Sequence, residues 1–377
     1  MRFSHRKNFG PLFITLLGLV LGLAACKLTT SGTGLTTPTG GSGEYLFATS
    51  NNQLWSFSIN ATTGALGTPA SVTGAAFSPA VVGNPAGTFL YAMDAVNDQV
   101  DAYAISSSGT LSASGSPYSL GGPGGVYTPG GLAMDSAGKY LFAADPSNNA
   151  VAGFTVNSTS GALTTASNSP FSASGEPAQV VVDASGQFVY AADFSSVVGG
   201  VSAFTLSSGA LTPVPGYSPF NIVATGGALG LATTGQYVYV TEQNANVVVA
   251  MSINSGGGLS IIGTAAATGS EPTGVVLTPS AKYLYVANYG DSTISAYSVN
   301  STTGALMPLT NSPFAATAAP YYLAVDPSGS FLYATNPADN SITGFTITSS
   351  SGALTPFSGT ATAVGTQPVS LTVVTVP

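Results

Sequence analysis

Charge is what this chain has least of. Only 5% of its 377 residues are Asp, Glu, Lys or Arg, against roughly 25% in an ordinary soluble domain. There are six basic residues, one histidine and one cysteine, and Arg2, His5, Arg6 and Lys7 all precede Cys26. Beyond Cys26 there is no arginine and no histidine, and three lysines stand against fourteen acids, a net charge of −11. A nucleic-acid partner is excluded, because phosphate binding needs a cationic surface that releases counterions. Nucleophilic catalysis through a Ser-His-Asp or Cys-His pair is excluded for want of an imidazole. A lone Cys excludes internal disulfides and Cys-based zinc sites. After residue 25 no helical periodicity is found, so helical fold classes go too.

The N-terminal segment reads as an address. Arg2, Arg6 and Lys7 form a positive region, residues 11–22 (PLFITLLGLVLG) an apolar stretch, and Leu23-Ala24-Ala25-Cys26 follows directly. The stretch is short for a bilayer core of ~30 Å, and the order of parts is that of a cleaved signal. The L-A-A-C run resembles a bacterial lipobox, which implies a signal peptide over 1–25 and a lipidated Cys26 as the new N-terminus. Several acyl chains hold a protein firmly at a membrane. Residues 27–43 (KLTTSGTGLTTPTGGSG) carry no apolar period and read as a flexible tether with a reach of about 23 Å. The expected location is the bacterial cell envelope, with the membrane as partner through Cys26. Lys27 rather than Asp after the cysteine leans, by the same resemblance, to the outer membrane.

What is abundant is glycine (47 residues), proline (24) and a repeat. An aromatic-led run recurs as YLFAT at Tyr45, FLYAM at Phe89, YLFAA at Tyr140, FVYAA at Phe188, YVYVT at Tyr237, YLYVA at Tyr283 and FLYAT at Phe331. A second marker follows each one: TGAL, SGTL, SGAL, SGAL, GGGL, TGAL and SGAL, ending at Leu66, Leu111, Leu163, Leu211, Leu259, Leu306 and Leu354. Each unit reads as four short strands. Strand A starts near a proline eleven residues before the aromatic anchor (Pro129, Pro177, Pro272, Pro320). A turn led by Asp135, Asp183 or Asp326 follows, in which Asp bonds its own backbone. Strand B is the aromatic run, strand C an alternating segment such as SAYSV from Ser295, and the Gly-containing marker turns C into D.

Seven four-stranded units of 45–50 residues describe an all-β chain, a seven-bladed β-propeller over residues 44–377. Unit 1 opens on strand B and lacks a strand A. The chain ends on Pro368-Val369-Ser370-Leu371-Thr372-Val373, a strand A with no successor. The C-terminal strand is therefore expected to complete blade 1 and close the ring, leaving no free inner edge.

In such a ring the B–C and D–A loops share one face. The residue five after each anchor is Ser50, Asp94, Asp145, Asp193, Glu242, Asn288 or Asn336, one polar group per blade at the start of the B–C loop. Glu176 and Glu271 are expected to join them from the D–A loops. Two readings stand side by side. Asp and Asn at strand ends cap turns. A mouth lined by carboxylates suits Ca²⁺ or another hard divalent cation, although no cofactor is required. Clustered like charges are expected to raise some of these pKa values. Tyr127, Phe194, Tyr289, Tyr321 and Tyr322 fall in or beside the same loops, where they could stack on a carbohydrate or protein ligand or pack on a neighbouring blade. Lys139 and Lys282 lie in A–B turns on the opposite face, and Trp55 reads as core.

The unit VANYGDSTISAYSVNSTTGAL (286–306) resembles the seven-bladed lactonase-like propeller family, known for 6-phosphogluconolactonase, and more loosely the YVTN-type surface repeats. The resemblance covers about residues 44–377 and implies the propeller fold. Members of that family often carry a Pro-His pair opening strand A and basic residues in the channel mouth. Here the matching pairs are Pro129-Gly130, Pro177-Ala178, Pro272-Thr273 and Pro320-Tyr321, so no catalytic residue transfers. The leading expectation is a membrane-tethered envelope propeller that binds a partner or neutral ligand without catalysis. The alternative is a hydrolase of an uncharged lactone, with carboxylate base and metal electrophile.

Overall fold

The computed structural model describes residues 43–377, apart from 75–77, 122–129, 195–198, 218, 224–226 and 360. The signal, Cys26, the tether and Tyr127 lie outside the described residues. Seven antiparallel sheets succeed one another along the chain. Their innermost strands (A) are Leu371–Val376 in blade 1, then Val81–Gly83, Leu132–Met134, Pro177–Val182, Ala228–Thr233, Pro272–Leu277 and Tyr322–Val325 in blades 2 to 7. Each of these strands touches the next, and Leu371–Val376 sits between those of blades 7 and 2. The ring is closed, and the C-terminal strand closes it: it pairs antiparallel with Gly43–Ser50, setting Val374 opposite Tyr45 and Leu371 opposite Ala48. The expected closure is the observed one, although the strand begins at Leu371, three residues after Pro368.

The B strands are Gly43–Ser50, Phe89–Asp94, Tyr140–Asp145, Phe188–Asp193, Tyr237–Glu242, Tyr283–Asn288 and Phe331–Asn336. In blades 2, 4, 5, 6 and 7 all six residues of strand B are buried. Each sheet is sandwiched between two others, so both of its faces are core. That is why the sequence of strand B is a continuous apolar run rather than an alternation. Strand D departs from the simple reading in blades 2 to 7, where it comes in two short pieces that both pair with strand C. In blade 6, Leu306–Pro308 pairs with Tyr297–Val299 and Phe314–Ala315 with Thr293–Ile294.

The two sequence markers turn out to be halves of one contact. The anchor ring of every blade lies against the hairpin glycine of the next: Tyr45 on Gly109, Phe89 on Gly161, Tyr140 on Gly209, and so on round to Phe331 on Gly64. A Cβ on Gly64 would run into the Phe331 ring, and its φ of +71° is one that L side chains rarely adopt, so glycine is required there twice over. Burying each anchor adds roughly 1.5–3 kcal/mol. Asp135, Asp183 and Asp326 hold their A–B turns as expected, each accepting from backbone N–H groups four to five residues on. Asn84 does the same in blade 2.

Candidate functional site

The polar residue five after each anchor is the last residue of strand B rather than the first of the loop, and all seven are buried. What holds each one divides the ring. In blades 2 and 3 the carboxylates cap turns. Asp94 Oδ1 accepts from the N–H groups of Val96 and Asn97, and Asp94 Oδ2 from the Asn97 amide at 2.8 Å. Asp145 accepts from the Asn148 backbone N–H and, at 2.6 Å, from its side chain. In blade 1, Ser50 Oγ accepts from the indole of Trp55 at 2.8 Å. Trp55 is half-buried and packs against the core beneath blades 7 and 1.

Blades 4 to 7 differ. Asp193 Oδ2 accepts from Ser202 Oγ at 2.9 Å, and Asp193 Oδ1 has no partner. Both carboxylate oxygens of Glu242 are buried without a hydrogen-bond partner. The Glu242 carboxylate lies where a side chain on Gly199 of blade 4 would stand. Asn288 donates to Thr293 and Ser295, and Asn336 to Ser341 and Thr343, but each Oδ1 is orphaned. A buried acceptor without a donor costs about 1–3 kcal/mol, more when charged, so burial favours the neutral acid. It pushes Asp193 up to about 6, against the Ser202 bond, and Glu242 up to about 7. Burial also raises Asp101, to about 6, with Asp94 adding repulsion, and Asp145, with Asp98 adding some. Like-charge clustering, the cause expected from sequence, is thus the smaller one. Desolvation leads in every case.

The loop-face acids that do reach solvent are others. Glu176 and Glu271, each just before a strand-A proline, are exposed, as are Asp291 and Asp339. The Glu176 and Glu271 carbonyls accept the N–H groups of Phe194 and Tyr289, the residues that follow Asp193 and Asn288. Tyr289 and Tyr321 meet edge to face between blades 6 and 7, with centroids 6.0 Å apart and planes at 88°. Both are half-buried, as is Phe194, and burial raises Tyr321 to about 12. Lys139 and Lys282 lie on the opposite face, each with its ammonium 5.0 Å from the neighbouring anchor ring. Among the described residues the loop face therefore carries no cation, and no three Asp, Glu, His or Cys residues gather to hold a metal ion.

Tyr322, expected from sequence beside the loop-face aromatics, has a partner that the sequence does not point to, Gln179. Directly below the level of these buried residues, Gln179 of blade 4 faces Ala192 across the sheet, and Tyr322 of blade 7 faces Thr335. Across the ring, Gln179 Nε2 donates to Tyr322 Oη at 3.3 Å. Both stand two residues after a strand-A proline (Pro177, Pro320), whereas Gly131 and Gly274 follow Pro129 and Pro272. Gln179, a large polar residue at a register that holds Gly131 in blade 3 and Gly274 in blade 6, is the local signal that marks its own position.

Three overlapping matches to the family model described as Lactonase, 7-bladed beta-propeller cover residues 44–173, 75–220 and 201–319. No curated protein matches the chain. Among solved structures, a putative 6-phosphogluconolactonase from Bacteroides fragilis superimposes with a TM-score of 0.75 at 20% identity, over 91% of this chain and all of the other. One from Bacteroides uniformis gives 0.74 at 21%, over 88% and 99%. A periplasmic gluconolactonase from Pseudomonas aeruginosa gives 0.74 at 18%, over 89% and 100%. At such identities the likeness establishes the shared fold. The matches to the family model span most of the ring, and the chain belongs to the seven-bladed β-propeller lactonase family.

Proposed function

We propose that the protein hydrolyses an uncharged sugar lactone at the loop-face mouth of its channel. Family membership carries the reaction class, and the charge distribution carries the substrate class. A phosphorylated lactone is an anion that needs Arg, Lys, His or a metal at its phosphate. The described loop face offers Glu176, Glu271, Asp291 and Asp339 and no cation. An uncharged lactone meets no such repulsion. This reading replaces the non-catalytic binding module as the leading one, because both the family and the neighbours' names point to lactone chemistry.

In the proposed step a carboxylate takes a proton from water as the water oxygen adds to the lactone carbonyl. The ring C–O bond then breaks, and the departing oxygen takes up a proton, giving the hydroxy acid. The base must reach water, which favours Glu176 or Glu271 over the buried Asp193 and Glu242. Hydrolysis of glucono-1,5-lactone followed by pH-stat tests the assignment. Loss of about 100-fold or more in kcat in Glu176→Gln or Glu271→Gln, with folding retained, supports it. A wild-type protein that opens no uncharged lactone sinks it. The envelope location and the lipid anchor at Cys26 belong to the same proposal, since the tether would hold this catalyst outside the cytoplasm.

A further inference from the structure

The inner strands of a propeller leave a channel along the axis unless side chains fill it. In the level just beneath the loop face, five of the seven blades contribute small residues. Ser370, Ala80 and Gly131 accept the N–H of the residue four after their anchors, and Gly230 and Gly274 sit at bulges of strand A at the same height. A Cβ on Gly230 would strike the Thr273 carbonyl of the next blade, so close approach of the inner strands keeps this level small. The other two blades contribute Gln179 and Tyr322, three blades apart, and their side chains meet across the ring.

We propose that Gln179 and Tyr322 form the floor of the ligand site in the mouth and are the residues that select an uncharged, hydroxyl-bearing ring. This rests on the lactone reading for the reaction but not for the binding. Both side chains are neutral, polar and half-buried. Their mutual bond is long and uses one amide N–H and one phenol lone pair. The Gln179 amide oxygen lies against Gly131 of blade 3, which leaves the second amide N–H and the phenol O–H to meet ring hydroxyls. Burial holds the Tyr322 phenol above its ordinary range, with the Gln179 amide opposing in part, so the O–H stays a donor at neutral pH. The acids above repel anions, and the floor supplies hydrogen-bond donors without charge. A site that hydrogen-bonds hydroxyls rejects rings lacking them, because its own buried groups would be left unpaired.

The test uses two probes on the wild type and on Tyr322→Phe and Gln179→Met, each checked for an unchanged melting transition. The first is calorimetric binding of 1,5-anhydroglucitol, a neutral pyranose that cannot be hydrolysed. The second is KM and kcat for glucono-1,5-lactone. Each variant is expected to bind the pyranose about 10-fold more weakly and to raise KM by a similar factor with kcat little changed. The double variant should lose less than the product of the two, since the pair is coupled. Pyranose binding that is absent in the wild type, or equal in wild type and variants, overturns the floor. Binding that is lost in the variants, in a protein that opens no lactone, leaves the floor standing and removes the hydrolase reading. Hydrolysis with KM unchanged in both variants removes the floor alone.

Discussion

The hydroxyl of Tyr333 in blade 7 donates to the carbonyl of Gly64 in blade 1 at 2.7 Å, across 269 residues of chain. It is the closing instance of a repeated bond. Tyr91, Tyr190, Tyr239 and Tyr285 reach the hairpin glycine of the next blade in the same way, at 2.8–3.0 Å. Blade 1 has Phe47 at this position, and there Ser56 Oγ takes over the bond to Gly109 at 2.7 Å. Five of the seven blades are thus stitched by a tyrosine at one register, blades 1 and 3 carrying Phe47 and Phe142 there, and the bond that closes the ring is of the tyrosine kind.

Tyr333→Phe keeps the buried ring and removes the donor, leaving the Gly64 carbonyl unpaired. The expected loss is about 1–3 kcal/mol in urea unfolding. Removing residues 371–377 deletes the inner strand of blade 1, exposes the edge of Gly43–Ser50 and opens the ring between blades 7 and 2. That chain should lose the single cooperative transition of the intact ring. An unchanged transition after the deletion would contradict closure by the C-terminal strand.

The ring was legible in the sequence because it repeats. The anchors, the hairpin glycines and the complementary ends are each stated by local residues, and their phase alone implies the circle. The site was less legible. Position five after each anchor reads the same in Asp94 and Asp193, yet one carboxylate caps a turn and the other is half orphaned. Asp94 and Asp145 are met by the turn amides of Asn97 and Asn148, and Asp193 by Ser202 of strand C. Burial at that position was also invisible, since it comes from the adjoining blade: Gly199, far from Glu242 in sequence, seals its carboxylate. The Gln179–Tyr322 bridge joins residues 143 apart, and no local pattern in either blade encodes their meeting.

The buried acids give stability a pH dependence of unusual sign. Glu242 is pushed from its ordinary 4.5 to about 7, and Asp193 and Asp101 from 3.8 to about 6. In the unfolded chain these groups lose their protons at the lower values, whereas the folded protein retains them. Between about pH 4 and pH 7 the folded state binds more protons, so stability falls as pH rises through that window. Glu242 alone accounts for ~3 kcal/mol of this, an order-of-magnitude figure. Glu242→Gln should be more stable than wild type at pH 8 and should flatten the slope of unfolding free energy between pH 5 and 7. An unchanged slope in the variant would show that Glu242 does not titrate as described.

Cys26→Ser should abolish incorporation of labelled palmitate in a bacterial host and move the protein from the membrane fraction to the soluble one. Equal labelling of wild type and variant would rule out Cys26 as the anchor.

The most direct test of the central claim compares one sugar lactone in two charge states. The kcat/KM for glucono-1,5-lactone and for its 6-phosphorylated form, measured on the same protein at low ionic strength, should favour the uncharged form by about 10-fold or more. The gap should narrow as salt screens the acidic face. Equal rates, or preference for the phosphorylated lactone, would contradict the account of the mouth.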